Sequence, residues 1–255
     1  MRKGTGFITA VILLLQVAVV GSAGQKPSPQ IGISNQKADA ILEELRAIRE
    51  MISAAISGGA VRPQINVPQT TATKTFTFDD LPAIGSPNAG VTMVEFFDYQ
   101  CPFCRDFHLS TFESIRSKYV ESGRLRFVSV DLPLPMHENA SRAAEAAQCG
   151  GDQGKFWDMR DLFLRNPGRL GPEDLIAIVG ELHINTQRFR DCLESARYRA
   201  KILAESRRAT SIGINVTPSF IVGRSAANVV AGPLIAGAQP LAVFEAAIRS
   251  AEEQR

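Results

Sequence analysis

Val91-Thr92-Met93-Val94-Glu95-Phe96-Phe97-Asp98-Tyr99-Gln100-Cys101-Pro102-Phe103-Cys104 is the stretch on which the fold turns. Residues 91–98 form an apolar run, broken by Glu95, that reads as a buried strand. Cys101-Pro102-Phe103-Cys104 then opens a helical segment that reaches Ser122. Pro102 falls in the first turn of that helix, where its missing N–H costs nothing. Cys101 therefore sits where unpaired backbone N–H groups and the helix dipole favour an anion. A free thiol titrates near ~8.5, and such a setting lowers it to about 3.5–7.5. Cys104 lies one turn later, on the same side of the helix. The pattern predicts Cys101 as an exposed nucleophile and Cys104 as a buried resolving thiol. An inert disulfide or half of a zinc site would use the same spacing. Zinc needs two more ligands, yet Cys149 and Cys192 form no second CxxC and the three His are scattered.

Glu95 lies six residues before Cys101 in the apolar strand. A carboxylate there is costly without a partner or a task. Buried behind the dithiol, it would relay a proton to or from Cys104; at a strand edge it would face water instead. Thr217-Pro218 precedes a late apolar run, Ser219 to Val222. Proline is kept out of central strands except at their first residue or at irregular spots. A cis bond fits this place, and so does an ordinary trans proline ending the loop 213–216.

The surroundings bound the setting. The formal charge is +2, and Arg2 and Lys3 account for both charges. The rest of the chain is therefore about neutral, which argues against electrostatic binding of nucleic acid. Residues 1–23 read as a secretory signal: Arg2 and Lys3 at the positive end, an apolar run Phe7 to Val20, and Gly21-Ser22-Ala23 for cleavage. An uncleaved membrane anchor is the alternative. Export places the four cysteines in an oxidising compartment, periplasmic or otherwise extracytoplasmic.

Residues 24–34 are rich in Gly, Pro, Ser and Gln and read as flexible. An amphipathic helix is expected at about 35–57, where Ile41, Leu45, Ile48, Ile52 and Ala55 recur with coiled-coil-like spacing. It either folds back on its own domain or forms the seam of a homo-oligomer. Residues 60–75 read as a polar linker. The compact domain is expected over 76–255, starting near Phe76.

Within it, strands at 91–98 and 125–130 flank the dithiol helix. Helical stretches follow near 138–149, 154–164, 172–181 and 186–207. A hairpin of 219–222 with 229–231 and a helix at about 240–252 end the domain. Strand, helix, strand, helical block, hairpin, helix is an α/β pattern with a mixed sheet, and the first crossover is expected to be parallel and right-handed.

These residues resemble the thioredoxin superfamily, in its DsbA-like branch of secreted thiol:disulfide oxidoreductases. The likeness rests on 94–104, on Gln153-Gly154-Lys155-Phe156-Trp157-Asp158, and on Val216-Thr217-Pro218-Ser219-Phe220, and it covers roughly 76–252. It implies a thioredoxin fold with an inserted α-helical domain at about 138–207. It also implies a cis Thr217–Pro218 bond packed against the Cys101–Cys104 pair. The Thr217 backbone would then hold an incoming extended peptide as an added strand. The best-known oxidant of the branch has Pro-His between its cysteines. Here Phe103 offers neither charge nor imidazole N–H. Thr before the cis-Pro is similar instead to the disulfide isomerases of the superfamily.

Cys149 and Cys192 fall in the helical block and, in an exported chain, read as a structural disulfide, two buried free thiols or a redox-regulatory pair. His108 reads first as a packed or surface residue, and His137, after Pro135-Met136, as the start of a helix. Phe156, Trp157 and Phe163 read as core, and Arg207-Arg208 as solvated helix surface.

The expected protein is an exported thiol:disulfide oxidoreductase that forms a mixed disulfide at Cys101. Its partners would be unfolded or folding secreted proteins, a membrane redox partner and, through 35–57, further copies of itself. No metal or organic cofactor is implied. The rivals are an oligomeric isomerase or reductase of the same fold, a copper-binding chaperone using the soft thiolates, and a holdase.

Overall fold

The computed structural model describes residues 42–46, 49 and 70–254. By its contacts the chain divides into Met1–Ile65 and Asn66–Arg255. In the first unit, residues 42–46 and 49 are helical, with Leu42 and Leu45 exposed. The expected leader 1–23, and the expected helix 35–57 apart from those few positions, lie outside the described residues. Among the described residues, no helix is long and apolar enough to cross a membrane.

The second unit is built on a six-stranded mixed sheet of order β1-β6-β5-β3-β4-β2. The strands are β1 Thr70–Thr77, β2 Ala83–Ile84, β3 Val91–Phe97, β4 Leu125–Asp131, β5 Ser219–Ala226 and β6 Val229–Ala236. All seven residues of β3 are buried, as an interior strand covered on both faces requires. It pairs in parallel with β4 and antiparallel with β5. One face carries Met93, Phe127, Phe220 and Val222 against Phe107, Phe112 and Phe244. The other packs Val94, Phe96, Val128, Val130 and Ile221 against Ala209 and Ile214. Each of these large side chains, fully buried, contributes about 1.5–3 kcal/mol of transfer free energy. Gly223 and Gly232 let β5 and β6 close up: a Cβ on either would collide with the other strand's backbone carbonyl.

Three sequence expectations need correction. Residues 70–75, read as linker, belong to β1, the edge strand that pairs with β6. Their alternating β-branched threonines favour a pleated strand, a preference that polar composition masks. The single helix expected over 186–207 is two, Thr186–Glu194 and Arg199–Ser211, separated by a turn in which Ala196 has φ 50°. The hairpin strands run to Ala226 and Ala236, beyond the short segments expected.

After β3 the chain enters α1, Pro102–Asp106. Wider π-helical turns at Phe107–Phe112 and Arg116–Val120 flank α2, Glu113–Ile115. Between β4 and β5 lies the helical block: α3 Ala140–Gly151, α4 Phe156–Arg165, α5 Pro172–Ile178, α6 Thr186–Glu194 and α7 Arg199–Ser211. A final helix, α8 Leu241–Glu253, packs on β5. Cys149 of α3 and Cys192 of α6 are bonded across a sequence separation of 43. Closing a loop of that size stabilises the fold by about 4 kcal/mol in the chain-entropy model.

Candidate active site

The end of β3 and the start of α1 place the dithiol. Cys101 is the last extended residue before the helix, its N–H donating to Asp98 O at 3.2 Å and its carbonyl accepting from Arg105 N at 3.2 Å. Asp98 anchors the approach: Oδ1 accepts from Gln100 N and Oδ2 from Leu134 N, both at 2.7 Å. His137 Nδ1 lies 2.9 Å from the same Oδ2, and Asn139 N on the loop after β4 donates to Gln100 Oε1 at 2.5 Å. The 98–101 turn is thus tied to that loop at two points, which preorganises the sulfur.

Cys101 and Cys104 are both free thiols. Cys101 is 4% exposed and Cys104 fully buried. The expected exposed nucleophile is thus largely covered, because Thr217 O sits 3.3 Å from its sulfur and accepts the thiol hydrogen. Thr217–Pro218 is a cis bond. Strand pairing brings it here: β5 lies next to β3, so its first residues abut the end of β3.

The two thiols have opposite electrostatics. Cys101 is lowered to about 5, first by the Cys104 hydrogen bond, then by the Thr217 side chain, as distinct from its carbonyl, and by the N–H groups of Cys104 and Phe103, against the opposing effect of burial. Phe103 therefore acts through its backbone, while its ring is 61% exposed. Cys104 is pushed well up, first by burial, then by its bond to Cys101 and by the nearby Glu95 charge. At neutral pH the pair is one thiolate and one thiol. In the reduced protein the Cys101 thiolate adds folded-state stability above the unfolded thiol range of ~8.5, and that contribution is lost as pH falls through about 5. Iodoacetamide should therefore label Cys101 at a rate that rises through pH 5 and is flat by pH 7. Cys149 and Cys192 should stay unlabelled. A Cys101 rate still climbing through pH 8.5 would contradict the assignment.

Glu95 faces the interior, not water: it is fully buried behind the dithiol. Its Oε2 pairs with Arg160 Nη2 of α4, which is equally buried. Burial is the largest effect on Glu95 and raises its carboxyl above the usual range, with Arg160 pulling it back. Arg160 stacks 4.1 Å over Phe97 and within 6 Å of Phe112, Phe127 and Trp157. The sequence reading missed this arginine. Its signal was a cation four residues after Phe156 and three before Phe163, on the apolar face of a helix, where a charge needs a buried counter-ion.

The other candidates separate from the site. His108 Nε2 is bonded to Asp161 Oδ1 at 3.1 Å and stacks on Phe112. Burial pushes it down to about 4, with Arg160 adding to the effect. His108 lines a cavity of about 770 Å³ with Arg116, Trp157, Asp161 and Arg165. The Cys149–Cys192 bond lies in the helical block.

A family model described as "Thioredoxin" matches residues 78–230. A Na(+)/H(+) antiporter NhaA 1 of Salinispora arenicola is 36% identical over 54% of this chain and 21% of that protein. The chain spans about a fifth of the length of such antiporters. A probable disulfide bond formation protein D of Bacillus anthracis is 25% identical over 68% of this chain and 83% of that protein. The crystal structure of oxidised BdbD from Bacillus subtilis superposes with a TM-score of 0.60 at 20% identity, over 68% of this chain and 93% of that one.

Proposed function

The chain belongs to the thioredoxin family matched over residues 78–230, and from that premise we propose that it is an exported thiol:disulfide oxidoreductase of DsbA-like fold, with Cys101–Cys104 as its redox pair. One observation carries the reading: a low-pKa thiol and a high-pKa thiol, one helical turn apart, under the carbonyl of a residue that precedes a cis-proline. A substrate thiolate attacks Cys101 Sγ of the oxidised pair. The Cys101–Cys104 bond breaks, Cys104 leaves as a thiolate and takes a proton, and a mixed disulfide forms at Cys101. A second substrate thiolate then attacks the substrate sulfur of that bond, and Cys101 leaves as a thiolate. In this reading Glu95, buried behind the dithiol, gives Cys104 its proton. The Thr217 backbone then holds an extended substrate as an added strand.

Substrates are unfolded or folding secreted polypeptides. Phe103, Met136 and Val216 are among the few large apolar side chains exposed in the described residues. Phe103 lies between the cysteines, Val216 beside Thr217, and Met136 on the loop braced by Asp98. Such a rim suits apolar peptide rather than folded, polar surface. Disulfide bond formation protein D relatives favour the oxidising direction, as does a stabilised Cys101 thiolate, which favours the reduced enzyme and so makes its disulfide a better oxidant. A membrane redox partner would re-oxidise the pair, and association through 35–57 is part of the same proposal.

Redox equilibration with glutathione, paired with refolding of reduced and of scrambled ribonuclease, tests this. Oxidation of reduced ribonuclease without rescue of the scrambled form is the expected result. Rescue of scrambled ribonuclease would turn the reading to an isomerase, and no exchange in either assay would refute it.

A further inference from the structure

Behind Glu95 the interior carries more acid than base. Ser129 and Asp131 of β4 are in register with Glu95 and Phe97 of β3, so they point to the same face of the sheet. Asp131 is 2% exposed, and its Oδ2 accepts from Gln148 Nε2 of α3 at 2.8 Å. Glu205, 3% exposed, lies on α7, which packs on β4, and the neighbouring Ser206 Oγ donates to Asp131 O at 3.5 Å. On its outer side, Glu205 Oε1 is 3.9 Å from Nζ of the partly exposed Lys201. The other charges near this pair are Asp98 and Arg160 on the Asp131 side and Arg208 on the Glu205 side.

Two further facts make this cluster more than packing. Glu95 Oε1, Tyr99 OH, Ser129 Oγ, Asp131 Oδ1 and Glu205 Oε2 are all buried without a hydrogen-bond partner. Folded proteins satisfy such atoms, with ordered water where protein groups do not reach. Here they share one buried neighbourhood: burial raises the Tyr99 pKa, Asp131 and Glu95 lie close enough for both charges to raise it further, and Ser129 is in register with Glu95. Second, Arg160 is the single buried cation among the described residues, against five buried carboxylates, Glu95, Asp98, Asp131, Glu145 and Glu205, and its ion pair is with Glu95. A cation engaged there does not keep Asp131 and Glu205 ionised as well. Burial pushes Asp131 up to about 6 and Glu205 up to about 7, the Asp131 charge adding to the second shift.

We propose that Asp131 and Glu205 are positioning residues that hold one proton between them and exchange it with Glu95 through water ordered on Ser129 and Tyr99. This rests on the redox reading of Cys101–Cys104. When Cys104 leaves as a thiolate, Glu95 gives it a proton, the Asp131–Glu205 pair reprotonates Glu95, and solvent beside Lys201 refills the pair. In reverse, the proton of Cys104 moves outward as its sulfur attacks Cys101. The Cys101–substrate bond breaks, the Cys101–Cys104 bond forms, and the substrate thiolate takes a proton from solvent.

The reverse step isolates the effect. The full chain is loaded with glutathione at Cys101, and release of glutathione by Cys104 is followed from pH 5 to 8. The wild-type rate should rise with an inflection between pH 6 and 7. Asp131→Asn and Glu205→Gln should each slow release about tenfold at pH 7, less than the loss expected for removing a direct general base, and abolish that inflection. Cys101 labelling should keep its midpoint near pH 5 in both, and Glu205→Asp should restore most of the rate. A structural role would not move the pH profile while sparing Cys101. If Asp131→Asn does not fold, Glu205→Gln at the outer end decides. Wild-type rate and profile in the folded variants would overturn the relay. A wild-type protein that never forms or resolves the mixed disulfide would refute the redox reading instead.

Discussion

Arg160→Met should lower the unfolding free energy by about 3–5 kcal/mol, the usual cost of stranding one partner of a buried ion pair. Glu95 and Arg160 are both fully buried, and the guanidinium lies over Phe97, so no water replaces it. The deficit should depend on pH with a definite sign. Glu95 is already raised by burial even with Arg160 beside it, and removing the cation raises it further. A carboxyl with a raised folded-state pKa favours folding at pH below its unfolded value and opposes it as pH rises through the folded value. The variant should therefore be nearest wild type around pH 4 and lose ground toward neutrality. Urea unfolding at pH 4.5 and 7.5 checks this. Glu95→Leu/Arg160→Met should recover much of the stability, because an apolar pair of similar volume carries no desolvation penalty. A single variant as stable as wild type at pH 7.5 would mean that Glu95 and Arg160 do not depend on each other.

The same pair shows where sequence reading stopped. The β3–α1 junction is legible because its signals are local: an apolar run, a proline at the first helical turn and two thiols one turn apart. Glu95 stands out for a local reason too, as a charge inside such a run. Its partner lies 65 positions away in an inserted helix, and no local periodicity encodes that pairing. Asp131 escapes notice for a different reason. At the end of β4 it looks like an ordinary strand-terminating acid, and only the parallel register with Phe97 turns it toward the dithiol's side of the sheet. Threonine alternation in β1 was readable as strand, but the polar composition outweighed it. The break between α6 and α7 carries neither Gly nor Pro, and Ala196 with positive φ leaves no sequence mark there. Composition and local pattern thus place the two thiols, whereas the buried charges behind them are joined through sheet register and helix packing.

Cys104→Ser should convert a transient mixed disulfide into a lasting one. In the wild type the Cys104 sulfur sits one turn from Cys101, close enough for a thiol–thiolate hydrogen bond to be the largest influence on Cys101. Proximity of that kind substitutes for a very high concentration of external thiol, with effective molarities of about 10⁵ M or more in well-oriented cases. Losing it leaves only millimolar glutathione to resolve the adduct, so release should slow by on the order of 10³-fold or more. A reduced unfolded protein bearing one activated disulfide should then be caught as a covalent complex, visible on a non-reducing gel and discharged by dithiothreitol. Cys101→Ser should catch none. The thiolate itself supplies a second reading. Cys104→Ala removes the donor and should raise the Cys101 midpoint from about 5, whereas the hydroxyl of Cys104→Ser still donates and should hold it lower. If both variants release the adduct as fast as wild type, Cys104 is not the resolving thiol. If both leave the Cys101 titration unmoved, the helix N-terminus and Thr217 suffice to stabilise the thiolate, and the dithiol hydrogen bond is incidental to it.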